Sequence, residues 1–303
     1  MNIYTIVVTY NRKNLLLECL GALEQQTLLP NKVLIVDNAS TDGTLNLLKE
    51  KGFLEKSLFE LLALNDNTGG AGGFYAGMRY ALEQDADWVW MMDDDAKPHI
   101  NALEELMKIA KEPQHVYGSL AVNQEHTSWQ MELLGDAQIV TRLKADIPAK
   151  AQVKMLPFLG FMVHRELVEK IGLPDAEFFI AADDVEYSVR AQKQGAKIYI
   201  AGNSQIEHPS SYPYYVNFLG LRFTCIAIPP WKRYYDVRNR ILIAKKYFGM
   251  RLYTQTLPSI LLRLIATLST EPDKLKQLKA YSVAVLDGLL QRKGRRHDLW
   301  NLM

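Results

Sequence analysis

The sequence predicts an α/β protein built on a doubly wound, mainly parallel sheet, followed by a basic helical region at the C-terminal end. Three observations carry this prediction. Short β-branched runs alternate with stretches of helical periodicity through the first half of the chain. Four successive predicted strands close on polar clusters, "TYNR", "VDNAS", "NDNTGG" and "DDDA", at the ends where open α/β sheets bind ligands. The charge also changes sign along the chain. Residues 1–210 hold 19 Lys and Arg against 29 Asp and Glu, whereas residues 211–303 hold 16 against 5.

Taken in order, "YTIVVTY" (4–10) predicts a buried strand and "NLLLECLGALEQQ" (14–26) its crossover helix. "KVLIVDNAS" (32–40) is a second strand ending at Asp37, and "TDGTLNLLKEKG" (41–52) a capped helix with a glycine stop. "FELLALND" (59–66) is a third strand, followed by a glycine-rich loop and a helix around 73–85. "DWVWMMD" (87–93) is the fourth strand. Beyond it, "HINALEELMKIAKE" is an amphipathic helix and 115–170 reads as strands and loops. Residues 183–195 form a helix opened by two acids, which suit its N-terminal dipole, and 196–208 a closing strand. A segment rich in Tyr, Trp and Arg leads into helices around 234–268 and 273–292. The expected domains are 1–210, which carries the strand-end clusters, and 211–303.

With 303 residues, 48% hydrophobic and 23% charged, the chain has apolar material for a sizeable core. Cys19 and Cys225 make no metal-type pair and no disulfide framework, which fits a reducing compartment. The N-terminal residues lack the pattern of a signal peptide, and no apolar run reaches the roughly 18 residues of a spanning helix. The basic region points to an anionic partner, a membrane surface or a nucleic acid, or to docking on the acidic part of the same chain. No nucleic-acid-binding module accompanies the charge.

Aspartates one residue apart at a strand end bring two carboxylates within reach of one hard cation. Asp93 and Asp95 suit Mg²⁺ or Mn²⁺, and Asp94 between them is placed to hydrogen-bond a sugar or its own neighbours. A solvated acidic turn is the plainer reading of the same triplet. "NTGGAGGFYAG" (67–77) holds five glycines without the dinucleotide-binding spacing. They either let backbone approach a sugar or diphosphate, or let a helix pack closely on a strand. Asp37 accepts hydrogen bonds from a base or ribose, or caps the next helix in competition with Ser40 and Asp42. Asp183 and Asp184 offer a general base or simply a helix start. His208, in "IEHPS", is a neutral imidazole ligand for the same cation or a structural histidine.

In this order, "IVVTYNR", "VDNASTDGT", "NTGGAGGFYAGM", "WMMDDDAKP" and "DDVEYSVRAQKQG" resemble the inverting family 2 glycosyltransferases of the GT-A fold, over about residues 3–210. The glycine run with "DDDA" is especially similar to bacterial galactofuranosyltransferases, and "WKRYYDVRNRILIAKKY" (231–247) resembles the segment after their catalytic domain and that of rhamnosyltransferases. The resemblance implies a metal-dependent transfer of a sugar from a nucleotide donor to a hydroxyl. It assigns Asp37, with Thr9 and Arg12, to the nucleoside, and Asn67, Gly69, Gly70, Gly72, Gly73 and Asp94 to the rest of the donor. Asp93, Asp95 and His208 become ligands of Mn²⁺ or Mg²⁺, and Asp184 the base. Asp183 stands where such a motif more often has Glu. Phe158, Gly160 and Asp183 fall in the acceptor region, which lacks the paired tryptophans of polymerising galactofuranosyltransferases.

The implied donor is UDP-galactofuranose, and the implied acceptor a lipid-linked cell-surface glycan met at the inner face of a bacterial membrane. Trp231, Lys232, Arg233, Tyr234 and Tyr235, and the helices around Leu257–Leu268 and Gln291–Arg296, are then candidates for peripheral membrane contact or for a homo-oligomer interface. A rhamnosyltransferase using dTDP-rhamnose is the neighbouring reading. A sugar nucleotidyltransferase lacks support, because "VVTYNRKNLLL" carries no basic Gly-rich loop. A non-catalytic glycan-binding scaffold is the reading from another class.

Overall fold

The computed structural model describes residues 1–135, 139–210, 213–218 and 221–303. The chain divides into two compact units. One comprises Met1–Asp175 and Tyr187–Ser210, the other Ala176–Glu186 and Ser211–Met303.

The first unit opens with β1 (Ile3–Thr9), α1 (Lys13–Glu24), β2 (Lys32–Asp37), α2 (Thr44–Glu50), β3 (Phe59–Ala63), α3 (Gly69–Glu83) and β4 (Trp88–Asp93). There follow β5 (Lys97–Pro98), α4 (Ala102–Ile109), β6 (Val116–Asn123), β7 (His126–Leu134), β8 (Ile139–Leu143), β9 (Ala151–Val153), β10 (Phe161–His164) and α5 (Arg165–Ile171). α6 (Asp183–Lys193) and β11 (Ile198–Glu207) complete the run. The main sheet has the order β3-β2-β1-β4-β10-β6-β11-β9-β7-β8, with β5 on the end of β11.

Strands β3, β2, β1 and β4 pair in parallel, as the alternating pattern requires. Beyond β4 the sheet is mixed: β10 runs antiparallel to both β4 and β6, while β11 is parallel to β6. The expectation of a mainly parallel sheet therefore describes only its first half. A short connection makes one further antiparallel pair, since β6 turns directly into β7 through Gln124 in the left-handed region (φ 56°), leaving no room for a crossover helix.

Burial on both faces explains the unbroken apolar runs of β1 and β2. Ile6, Val8, Leu34 and Val36 meet Phe74 and Met78 of α3 on one side. Val7, Val33 and Ile35 meet Leu16, Leu20 and Leu23 of α1 on the other. Each such side chain contributes about 1.5–3 kcal/mol on burial. α3 begins at Gly69, four residues before the expected start, and takes the glycines into its first turns. A Cβ on Gly73 would lie 2.5 Å from Val8 Cγ1, and one on Gly77 would lie 2.6 Å from Ile6 Cγ2. These two glycines thus serve the close approach of helix to sheet.

The second unit contains the hairpin β12 (Tyr214–Phe218) and β13 (Leu221–Cys225), then α7 (Pro230–Tyr247), a π-helical turn (Leu252–Thr256), α8 (Leu257–Thr270) and α9 (Lys274–Leu289). The helix expected over 234–268 starts earlier, with Pro230 in its first turn, and breaks at Gly249 (φ 53°). The aromatic and basic run proposed for membrane contact is largely internal. Arg233 pairs with Glu271 at 2.7 Å, Tyr234 donates to Asp287 Oδ2 at 2.7 Å, and Tyr235 lies 2.7 Å from His297 Nδ1, all buried. Burying these polar tips beside partners costs little, so they pack as core instead of facing outward. The exposed apolar side chains lie further on, at Met250, Tyr253, Leu261 and Ile265. Among the described residues no helix is long and apolar enough to cross a membrane.

Candidate active site

The carboxyl ends of β1, β2 and β4 and the start of α3 carry most of the predicted residues. Asp94, 3% exposed, accepts from Thr9 Oγ1 at 2.8 Å and from Arg12 Nη1 at 3.3 Å. Burial raises its pKa, and the Thr9 hydroxyl and the Arg12 charge act against that rise. Arg12 also binds Asp95 Oδ2 at 2.8 Å, so one guanidinium spans both carboxylates and fixes where each points. Of the two openings the sequence left for Asp94, sugar or neighbours, the structure supplies neighbours.

Asp95 keeps its second oxygen free of protein donors. Oδ1 is buried and unpartnered, and stands 3.7 Å from Nε2 of His208, whose Nδ1 is also buried and unpartnered. The local fold explains the meeting. After the triple aspartate the chain forms β5, whose Lys97 and Pro98 pair antiparallel with Glu207 and Ile206 of β11, and this sets His208 beside Asp95. Asp93 closes β4, and its carbonyl accepts from Ala96 N–H at 3.2 Å. Among the described residues no group of three or more His, Cys, Asp or Glu side chains is placed so that it could hold a metal ion; two of the expected ligands, Asp95 and His208, do lie close together.

Asp95 Oδ1, which has no other partner, and the imidazole of His208 lie close without a hydrogen bond between them, and a carboxylate oxygen and an imidazole nitrogen are donor types that Mn²⁺ or Mg²⁺ accepts. Asp95 and His208 are the residues that would hold such a cation, and its role would be to neutralise charge on a bound anionic ligand. The residues present therefore fit the expected ion.

Asp37 is buried and accepts Ser40 N–H at 3.0 Å. Asp42 takes the helix-start role, accepting from Thr44 N–H at 3.1 Å and Lys13 N–H at 3.2 Å. The loop after β1 is clasped to the loop after β2 through Asn11, which accepts Thr41 N–H at 2.7 Å. Asn67 accepts Gly69 N–H at 2.8 Å and so tightens the start of α3. Gly70 has open space at its Cβ position, whereas a Cβ on Gly72 would strike Thr68 at 2.4 Å.

Asn38 was absent from the sequence-based candidates. Buried, it donates to Gly69 O at 2.8 Å and accepts from Thr68 N–H at 2.9 Å, tying the end of β2 to the glycine turn. Its place directly after Asp37 was the available signal. Phe158 is core, its ring 4.9 Å from Phe74 and 5.1 Å from Phe161, and a buried ring has no face for an acceptor. Gly160 is needed for backbone reasons: φ is 78°, and a Cβ there would lie 2.7 Å from Ile206 and Ser119.

Asp183 and Asp184 belong to the second unit's segment Ala176–Glu186. Burial raises both pKa values above the usual carboxylate range. For Asp183 the neighbouring Asp184 charge adds to the rise, and for Asp184 the Val185 N–H and the Arg240 charge oppose it. The residues leading to them are strained, with Phe179, Ala181 and Ala182 at φ of 65°, 68° and 61°. Two buried residues of α7 hold this strap. Asn239 Nδ2 donates to the carbonyls of Phe178, Ile180 and Ala181 at 3.1, 3.0 and 2.7 Å, and Arg238 Nη2 to Phe178 O at 2.9 Å. Neither residue was among the sequence-based candidates. An adjacent Arg-Asn pair inside an otherwise apolar helix face is the trace they leave.

The chain is similar in sequence to known glycosyltransferases. Over 247 residues the chain is 28% identical to the galactofuranosyltransferase GlfT1 of Mycobacterium tuberculosis, covering 79% of this chain and 81% of that one. It is 26% identical over 298 residues to the dTDP-rhamnosyl transferase RfbF of Shigella flexneri, covering 95% of each. A crystal structure of GalNAc-T7 with UDP, GalNAc and Mn²⁺ superposes with a TM-score of 0.60 at 13% identity, over 96% of this chain and 56% of that one. That likeness shows the fold, which is the GT-A glycosyltransferase fold. The family model "Glycosyl transferase family 2" matches residues 4–172. That match spans more than half of the 303 residues, and the chain belongs to glycosyl transferase family 2.

Proposed function

We propose that the chain is a metal-dependent, inverting glycosyltransferase that moves galactofuranose from UDP-galactofuranose to a hydroxyl of a lipid-linked cell-surface glycan. The observation that carries this reading is the unpartnered Asp95–His208 pair at the ligand-binding edge of the sheet. Asp95 and His208, joined by Asp93, would hold Mn²⁺ or Mg²⁺. When bound, that cation neutralises charge developing on the departing nucleoside diphosphate. Arg12 orients Asp94 and Asp95, Asp37 and Thr9 face the nucleoside, and the backbone around Asn67, Gly69 and Gly70 approaches the donor.

Asp184 takes the proton of the acceptor hydroxyl. The acceptor oxygen then bonds to the anomeric carbon from one face while the bond to the β-phosphate oxygen breaks on the other, so configuration inverts. Only one protein carboxylate works on the reacting sugar, unlike the pair of a hydrolase. The enzyme would work at the inner face of a bacterial membrane, in polysaccharide or O-antigen assembly, attached peripherally.

The galactofuranosyl assignment is supported by the glycine run and by the named activity of GlfT1. A rhamnosyl transfer from dTDP-rhamnose is supported by the RfbF match, which extends over 95% of both chains. Purified protein offered UDP-galactofuranose, UDP-galactopyranose and dTDP-rhamnose with Mn²⁺ separates them. Turnover of UDP-galactofuranose alone is expected. Preference for dTDP-rhamnose would move the donor to the second reading, and no nucleotide binding at all would favour a glycan-binding scaffold.

A further inference from the structure

The second unit holds a pocket of about 330 Å³ whose lining combines apolar walls with two arginines. Ile243, Phe248 and Ile260 supply apolar surface, and Arg240 and Arg263 supply the cations. Val185, next to Asp184 in sequence, also lines it. One carboxylate serves both guanidiniums. Asp236 Oδ1 accepts from Arg240 Nε at 2.7 Å, while Arg263 Nη1 stands 3.9 Å from Asp236 Oδ2, beyond a hydrogen bond. Arg263 makes no hydrogen bond with any described residue, so a fork of N–H donors lines a pocket whose other polar side chains, Gln255, Thr256 and Ser259, are uncharged. Burial, and then the Arg240 charge, lower its pKa, which a bound anion would reverse.

Arg240 is paired with Asp236 and lies in the field of Asp184, whereas Arg263 makes no hydrogen bond with a described residue, and the planar fork of a guanidinium matches the oxygens of a phosphate. The apolar walls ask for something more than inorganic anion. Met250 and Tyr253, which lie in the chain between the lining residues Phe248 and Gln255, are exposed apolar side chains as well. We propose that this pocket is a binding site for a phosphate-bearing amphiphile, taking the phosphate between Arg240 and Arg263 and the first methylenes of its chain against Ile243, Phe248 and Ile260. Its description as an acceptor subsite rests on the reading of Asp184 as the base; the binding itself does not.

Calorimetric titration of the full chain with dodecyl phosphate below its micelle concentration tests this, beside inorganic phosphate and dodecyl maltoside. The expected result is binding of dodecyl phosphate that weakens about tenfold or more in Arg263→Gln, a loss typical of a charge-assisted hydrogen-bond pair. Inorganic phosphate should bind more weakly with the same dependence on Arg263, and dodecyl maltoside should not bind. Equal affinity in Arg263→Gln, or equal weakening in the control Lys279→Gln, an exposed residue of α9 outside the lining, would overturn the site. Inorganic phosphate binding as tightly as dodecyl phosphate would overturn the amphiphile. If Arg263→Gln does not fold, Arg240→Gln carries the same test. Titrating UDP with Mn²⁺ into the same samples keeps the two readings apart, since failure there strikes the donor site and leaves the dodecyl phosphate result standing.

Discussion

Asp184 must be ionised to accept a proton, and its burial raises its pKa to about 6. The turnover rate is therefore expected to fall as pH drops through about 6, with a plateau above it, and Asp184→Asn to lower turnover by about 10²–10⁴-fold at the plateau. A pH–rate profile of kcat checks the first and a single-turnover assay the second; a flat profile between pH 5 and 8 would remove Asp184 from the base role. Asp183, raised to about 7, carries the matching stability effect. A carboxyl whose folded pKa lies above its unfolded value near 3.8 contributes stability that is full below that value and is lost as pH rises through about 7. Asp183→Asn should thus raise the melting temperature at pH 8 by a few degrees and by less at pH 5. At this scale the sequence made the acidic residues visible by type and spacing. It grouped His208 with Asp95 through the family resemblance but did not reveal the ion pairs of Arg12 with Asp94 and Asp95, which form only through the folded positions of the loops after β1 and β4.

At the scale of elements, the parallel strands were legible because both faces of β1 and β2 are buried and every residue is apolar or β-branched. The glycine run was legible only as two alternatives, and the structure chooses packing for Gly73 and Gly77 because α3 lies hard against β1. Gly73→Val should destabilise the first unit by about 1–3 kcal/mol, measured by denaturant midpoint, since the added methyls overlap Val8. The strap before α6 could not be read, because left-handed backbone at Phe179, Ala181 and Ala182 has no glycine to mark it. Asn239→Ala removes the donor shared by three of its carbonyls and should cost about 1–3 kcal/mol. If the strap positions Asp184, kcat also falls in Asn239→Ala while donor KM stays near its normal value. A change in stability with kcat intact would reduce Asn239 to a structural role.

For the whole molecule, composition carried the division of charge but not its disposition. Within the second unit several basic residues meet acids of that unit, as Arg233 does Glu271 and Arg296 does Asp287, so the basic count overstates the cationic surface. The aromatic and cationic run at Trp231–Tyr235 read as a surface motif because its hydrogen-bond partners are distant in sequence. What unites the proposed account is a divalent cation that Asp95 and His208 would hold at the sheet edge, and on which donor binding and chemistry would both depend. The direct measurement is Mn²⁺ binding in the presence of UDP, followed by the electron paramagnetic resonance of free Mn²⁺, in the native chain, Asp95→Asn and His208→Ala. The expected result is tight, UDP-strengthened binding that falls at least tenfold in each variant, as loss of a charged or imidazole ligand should cause. Binding of equal strength in all three proteins would contradict the assignment of Asp95 and His208 as the residues that hold the ion.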